Sequence, residues 1–139
     1  MKPVKVNKIN SKKVLKWCKE HYGPSRFNDI KTLKLAFDDN LKMEEGVGEE
    51  GIAVGEYDTQ SNTITINLKD LKEMPVISFI DTIIHEYRHF KQYKSIRKYN
   101  KYLKYYSYNY ENHPYEKTAN KIAKRDRWQC YREVFGSES

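Results

Sequence analysis

Apolar positions fall into segments of different period along the chain. From Ser11 to about Tyr22, the residues Val14, Leu15, Trp17 and Cys18 lie on one side of a helical repeat. Ser11 is the predicted cap of that helix, and Gly23-Pro24 its end. The ten residues before it read as an extended basic arm. Lys31 to Phe37 alternates, with Leu33, Leu35 and Phe37 apolar, and predicts a strand. Ile52 to Tyr57 and Thr63 to Leu68 are β-branched runs around a turn at 58–62, which predicts a hairpin. Helical spacing returns from Val76 to about Arg97. There Ile80, Ile83, Ile84, Tyr87 and Phe90 share a face that would pack on the sheet. Ser78, Asp81, Thr82 and Gln92 lie on the other face, away from the main core, and Ser78 with Asp81 fits a capping box. A last helix is predicted from Pro114 to about Phe135, because proline suits a first helical position. Residues 136–139 read as a frayed tail, 43–51 as an acidic glycine-containing loop, and 99–110 as a Tyr/Lys/Asn tract of no readable period. The order of helix, strands, helix, helix argues for an α+β layered domain.

Composition narrows the classes. At 139 residues the chain reads as one domain, 1–139. Aromatic residues make up 14%, including 12 Tyr, which argues against global disorder. No apolar run approaches the roughly 18 residues of a membrane span. No signal peptide is visible either, so the expected location is the cytoplasm, with no membrane partner. Cys18 and Cys130 form no CxxC pair and read as free thiols. The net charge of +7 admits an acidic partner such as nucleic acid, but it is spread out and also fits a solvated lysine-rich surface.

The chemistry concentrates in His85-Glu86-Tyr87-Arg88-His89, an HExxH sequence inside the second predicted helix. One helical turn separates the two histidines, which lie within about 40° of each other around the axis. Two imidazoles so placed can bind one zinc ion at about 2.0–2.1 Å each. Glu86 sits about 100° from His85, beside the metal without being forced to ligate it. That position suits a base taking a proton from metal-activated water. In a chain with 4 His, chance produces the pattern in roughly 1% of shuffled sequences.

Zinc needs a third protein ligand. Glu116, Ala119, Asn120 and Ala123 share a face of the last helix, and the alanines would let that helix approach a neighbour closely. Glu116 is then the candidate ligand, and Asn120 could hydrogen-bond a ligating histidine. Two rival readings stand beside this. Glu116 would also suit the start of a helix capped by His113, and His113 is itself an alternative third ligand. His21 reads as a surface residue near a helix end.

On these residues the chain resembles the zincin group of metallopeptidases. HExxH followed some 25 residues later by a glutamate in an ExxxN context looks like the gluzincin arrangement. HEYRHFKQ with HPYEKTANKIA is similar to small ImmA/IrrE-like and phage-encoded metallopeptidases, whose second motif reads E-x-x-A-[ND]-x-[FIL]-A. The resemblance covers residues 80–93 and 113–124 and is loose over the hairpin. It implies a zincin-like α+β fold, with a small, mostly antiparallel sheet against the HExxH helix and N- and C-terminal helices. It also implies one Zn²⁺ per chain on His85, His89 and Glu116, Glu86 as base, Asn120 behind the ligands, and a strand edge for an extended substrate. The attached sensor domain of such families is not seen in these 139 residues. SprT-like proteases, which are DNA-associated and use a third histidine, are a more distant similarity that would favour His113.

The expected activity is endopeptidase hydrolysis of a protein or peptide, in the host cell if the protein is phage-encoded. Glu86 would accept the water proton and return it to the leaving amine. Tyr108, Tyr110, His113 and Tyr115 are candidate oxyanion donors, although ordinary packing also accounts for the tyrosines. Arg88 could reach a substrate carboxylate or form a surface ion pair. Two other readings remain. One is a basic nucleic-acid-binding module using the 99–110 tract, and the other is an inactive zincin-fold binding protein.

Overall fold

The computed structural model describes residues 6–38, 55–67, 75–93 and 114–136. They form an α+β arrangement of three helices and one three-stranded sheet. The elements are α1 (Lys8–Tyr22), β1 (Lys34–Phe37), β2 (Gly55–Asp58), β3 (Thr63–Ile66), α2 (Val76–Gln92) and α3 (Pro114–Phe135).

Helix α1 starts earlier than the apolar pattern implied. Asn7 caps it, its side-chain oxygen accepting the Asn10 N–H at 2.8 Å. Lys8 to Asn10, expected in an extended arm, are therefore helical. Ser11 is buried in the first turn and donates its hydroxyl to the Asn7 carbonyl at 2.7 Å, so it does not cap. The predicted stop is where it was expected. Gly23 takes φ 76°, a left-handed conformation that glycine adopts without penalty, and its N–H bonds Lys19 O at 3.1 Å.

The sheet has the order β1-β3-β2. The hairpin strands β2 and β3 pair antiparallel, as the sequence suggested, but β1 joins β3 in parallel. The sheet is thus mixed, which corrects the mostly antiparallel expectation. The reason is burial. β3 (TITI) is the most β-branched and most buried strand and takes the centre, leaving β1 and β2 as edges. β1 also begins only at Lys34, because Asp29 Oδ1 accepts the Lys31 N–H at 2.9 Å and holds that end in a turn. Asn62, at φ 51°, ties the hairpin turn to this segment by donating to Asp29 O at 2.6 Å and Thr32 Oγ1 at 2.9 Å.

Helix α2 is central and touches α1, α3, β2 and β3. Its apolar residues Ile80, Ile83, Ile84, Tyr87 and Phe90 are all buried. The Tyr87 hydroxyl donates to Gly23 O at 2.5 Å, and Lys91 Nζ donates to Tyr22 O at 2.8 Å, which locks the end of α1 onto α2. Asn28 Nδ2 donates to the carbonyls of Phe90 and Tyr93 at 2.8 and 2.7 Å, satisfying groups left open at the end of α2. The expected capping box of α2 is absent. Pro75 stands at the cap without a side-chain bond, and Asp81 instead pairs with Arg127 of α3 at 3.2 Å.

Helix α3 runs from Pro114 to Phe135, the predicted bounds, and Gly136 of the expected tail still continues its last turn. It is fastened to α1 by the Tyr22 hydroxyl, which donates to Asp126 Oδ2 at 2.7 Å. Cys18 and Cys130 are free and buried. Burial pushes the Cys130 thiol up to about 12 and Cys18 well above its usual range, so neither is a ready nucleophile. No described helix is long and apolar enough to cross a membrane. Residues 137–139, the 43–51 loop and the 99–110 tract lie outside the described residues.

Candidate metal centre

The helical repeat stacks His85 and His89 one turn apart on α2, with ring centroids 4.7 Å apart and planes at 84°. Helix α3 crosses this face closely, because Ala119 and Ala123 are fully buried and carry no bulk to hold it off. The crossing brings Glu116, one turn before Ala119 and Asn120, to both imidazoles. Glu116 Oε2 lies 2.8 Å from His85 Nε2, and Oε1 lies 2.7 Å from His89 Nε2. The two Nε2 atoms are 3.0 Å apart. One ligand atom from each of the three residues therefore converges on a single point, and the group could hold a metal ion. The site is more enclosed than expected. Its face was placed away from the core, yet Glu116 is 2% and His89 3% exposed, since α3 covers them. His85 is the open side, at 17%.

Gln92 organises the cluster, and its role was missed from sequence. Its Nε2 donates to the Tyr115 carbonyl at 3.2 Å, so its Oε1 faces His89 Nδ1 at 2.8 Å. A carbonyl can only accept there, so Nδ1 carries the proton. With Nδ1 so engaged, His89 Nε2 faces a carboxylate oxygen at 2.7 Å. A contact that short requires either a second ring proton or a cation between the two atoms. The donor set of two imidazole nitrogens and one carboxylate suits the cation. The signal in the sequence was the position of Gln92 three residues after His89, on one helix face. Asn120, expected in this supporting role, is exposed on α3 instead. Replacing Gln92 with Leu is expected to lower zinc affinity by about 10- to 100-fold, measured by competition with a chromophoric chelator.

Glu86 is 6% exposed and lies beside strand β2. A Cβ added at Gly55 would come within 2.8 Å of Thr82 Cγ2 and 3.3 Å of Glu86 Cγ. Glycine here lets the strand press against the helix at the candidate base. Gly55→Ala is therefore expected to destabilise the protein by about 1–3 kcal/mol, read as a lower urea midpoint. Burial raises the Glu86 carboxyl above its ordinary value, and the two histidines hold the rise back. A raised carboxyl suits a proton shuttle near neutral pH.

The other two groups are coupled. Burial alone would lower His85, but its hydrogen bond to Glu116, with Glu86 and Asp81 nearby, lifts it to about 9. Burial alone would raise Glu116, but the bonds from His85 and His89 hold it well below the carboxylate range. The metal-free chain should therefore lose stability on both sides. The Glu116 contribution is complete above about 4.5 and is lost as pH falls through its depressed value. The His85 contribution is complete below about 6.5 and is lost as pH rises through about 9. Thermal melting in chelator across this range checks the expectation, and His85→Gln should flatten the alkaline limb.

The remaining candidates are less central. Tyr115 is half-buried, with its ring 5.6 Å from that of Tyr93. Arg88 is half-buried and makes no ion pair among the described residues, and its Nε is buried without a partner among them. His21 is exposed and stacks on Trp17 at 4.3 Å. His113, Tyr108 and Tyr110 lie outside the described residues. Comparison of the chain with protein-family models, with curated proteins and with solved structures found no match.

Proposed function

We propose that this chain is a zinc-dependent peptidase of the zincin type, cleaving peptide bonds within a protein or peptide substrate. The observation that supports the reading is the convergence of His85 Nε2, His89 Nε2 and the two Glu116 oxygens at 2.7–3.0 Å, a donor set that suits a cation. Nitrogen donors favour zinc over calcium or magnesium, which take oxygen ligands. His85, His89 and Glu116 would hold the ion. When bound, zinc supplies a Lewis acid that acidifies a water and polarises a carbonyl. Glu86 takes the proton from the attacking water and returns it to the departing amine. Its burial keeps that proton from bulk solvent, and His85, on the open side, marks the approach for substrate. A 2-His-1-carboxylate set also serves non-haem iron, but a buried carboxylate directly after the first histidine favours hydrolysis.

Metal analysis of the purified protein together with hydrolysis of an unfolded protein substrate tests the proposal. One zinc per chain and chelator-sensitive cleavage are the expected results. Iron in place of zinc, or zinc without cleavage of any of a panel of unfolded substrates, would overturn it.

A further inference from the structure

The outer face of α3 carries a feature that the metal centre does not use. Steps of 100° place Lys117, Lys121, Lys124 and Trp128 within about 60° of one another, with Tyr131 and Arg132 flanking them. This face is opposite Ala119, Ala123, Asp126 and Cys130, which are turned inward. Lys117, Lys121, Lys124 and Arg132 are exposed and make no ion pair among the described residues. Glu133 lies off the stripe and accepts from Trp17 Nε1 at 3.3 Å. Trp128 is 51% exposed, an unusually open setting for an indole. Tyr131 meets it edge-on at 6.0 Å and steadies the ring. The result is a flat aromatic surface set among four cations along about 22 Å of helix.

We propose that this stripe binds single-stranded nucleic acid, with a base stacked on Trp128 and phosphates met by Lys117, Lys121, Lys124 and Arg132. A lysine face alone would suit any polyanion. The exposed indole is what selects this partner, since stacking on a π-face is open to every base and closed to an acidic peptide chain. Separate helix faces carry the stripe and the metal cluster, so the interaction stands apart from the peptidase reading. It gives the protein a means of acting where nucleic acid is present.

The test is titration of the full-length protein with a dT oligomer and a U oligomer, in the presence of chelator. Trp17 is buried, so quenching of the exposed indole reports Trp128. Binding of either oligomer is expected, with quenching and a logarithmic salt slope of about −3, as four phosphate contacts on a single strand imply. Trp128→Ala and the double variant Lys121→Glu/Lys124→Glu should each weaken it about tenfold or more, read by anisotropy of a dye-labelled oligomer because the first variant removes the quenched indole. Both change exposed positions, and circular dichroism verifies that they fold. No binding at low salt, or binding indifferent to both variants, would overturn the proposal. So would equal competition by polyglutamate or anionic vesicles, which would reduce the stripe to a general polyanion surface.

Discussion

Glu86→Gln is expected to leave zinc bound and to slow peptide hydrolysis by about 100-fold or more. The substitution keeps the shape of the side chain, so the close approach to Gly55 is undisturbed. It removes only the capacity to take up a proton. Because Glu86 belongs to none of the three converging ligand contacts, zinc affinity should stay within about threefold of the parent. The measurement pairs zinc content with the rate on an unfolded substrate. Retained zinc with retained hydrolysis would remove Glu86 from the chemistry. Lost zinc would make it a ligand rather than a base.

Glu116→Gln should have the second large effect, lowering zinc affinity by more than about 100-fold, since a carboxylate ligand outweighs the supporting contacts whose loss costs 10- to 100-fold. The carboxamide fills the same space between the imidazoles but lacks the charge that balances them. In the metal-free protein it also removes the partner that lifts His85, so the alkaline loss of stability should shrink. Chelator competition and pH-dependent melting of the same variant read both effects. His113→Ala is the companion variant. If Glu116→Gln keeps its zinc while His113→Ala loses it, the third ligand is the histidine and the cluster described here is not the metal site.

Several parts of this arrangement were legible before any coordinates. The start of α3 followed from Pro114, and the hairpin followed from two β-branched runs around 58–62. The start of α1 was misread because capping residues compete locally. Asn7 and Ser11 both have the chemistry, and the hydroxyl of Ser11 was drawn back to the Asn7 carbonyl. Asp81 was misassigned for a related reason. Its cap role was plausible within α2, but Arg127 of another helix offered a charge. Gln92 and Asn120 exchanged roles because the side of α3 that faces the histidines ends at Glu116 and Ala119, leaving Asn120 outside.

The sequence by itself determined the pairing of His85 with His89 and the position of Glu86 next to them. Both depend only on the pitch of one helix, a short-range property of the backbone. The arrival of Glu116, the depth at which α3 buries the cluster, the reach of Tyr115 O to Gln92 behind His89 and the parallel placement of β1 beside β3 were decided by the tertiary structure. Each joins segments far apart in the chain, and packing chooses among such encounters according to how closely surfaces fit. The small side chains of Ala119 and Ala123 and the bare backbone of Gly55 make that fit close enough for chemistry.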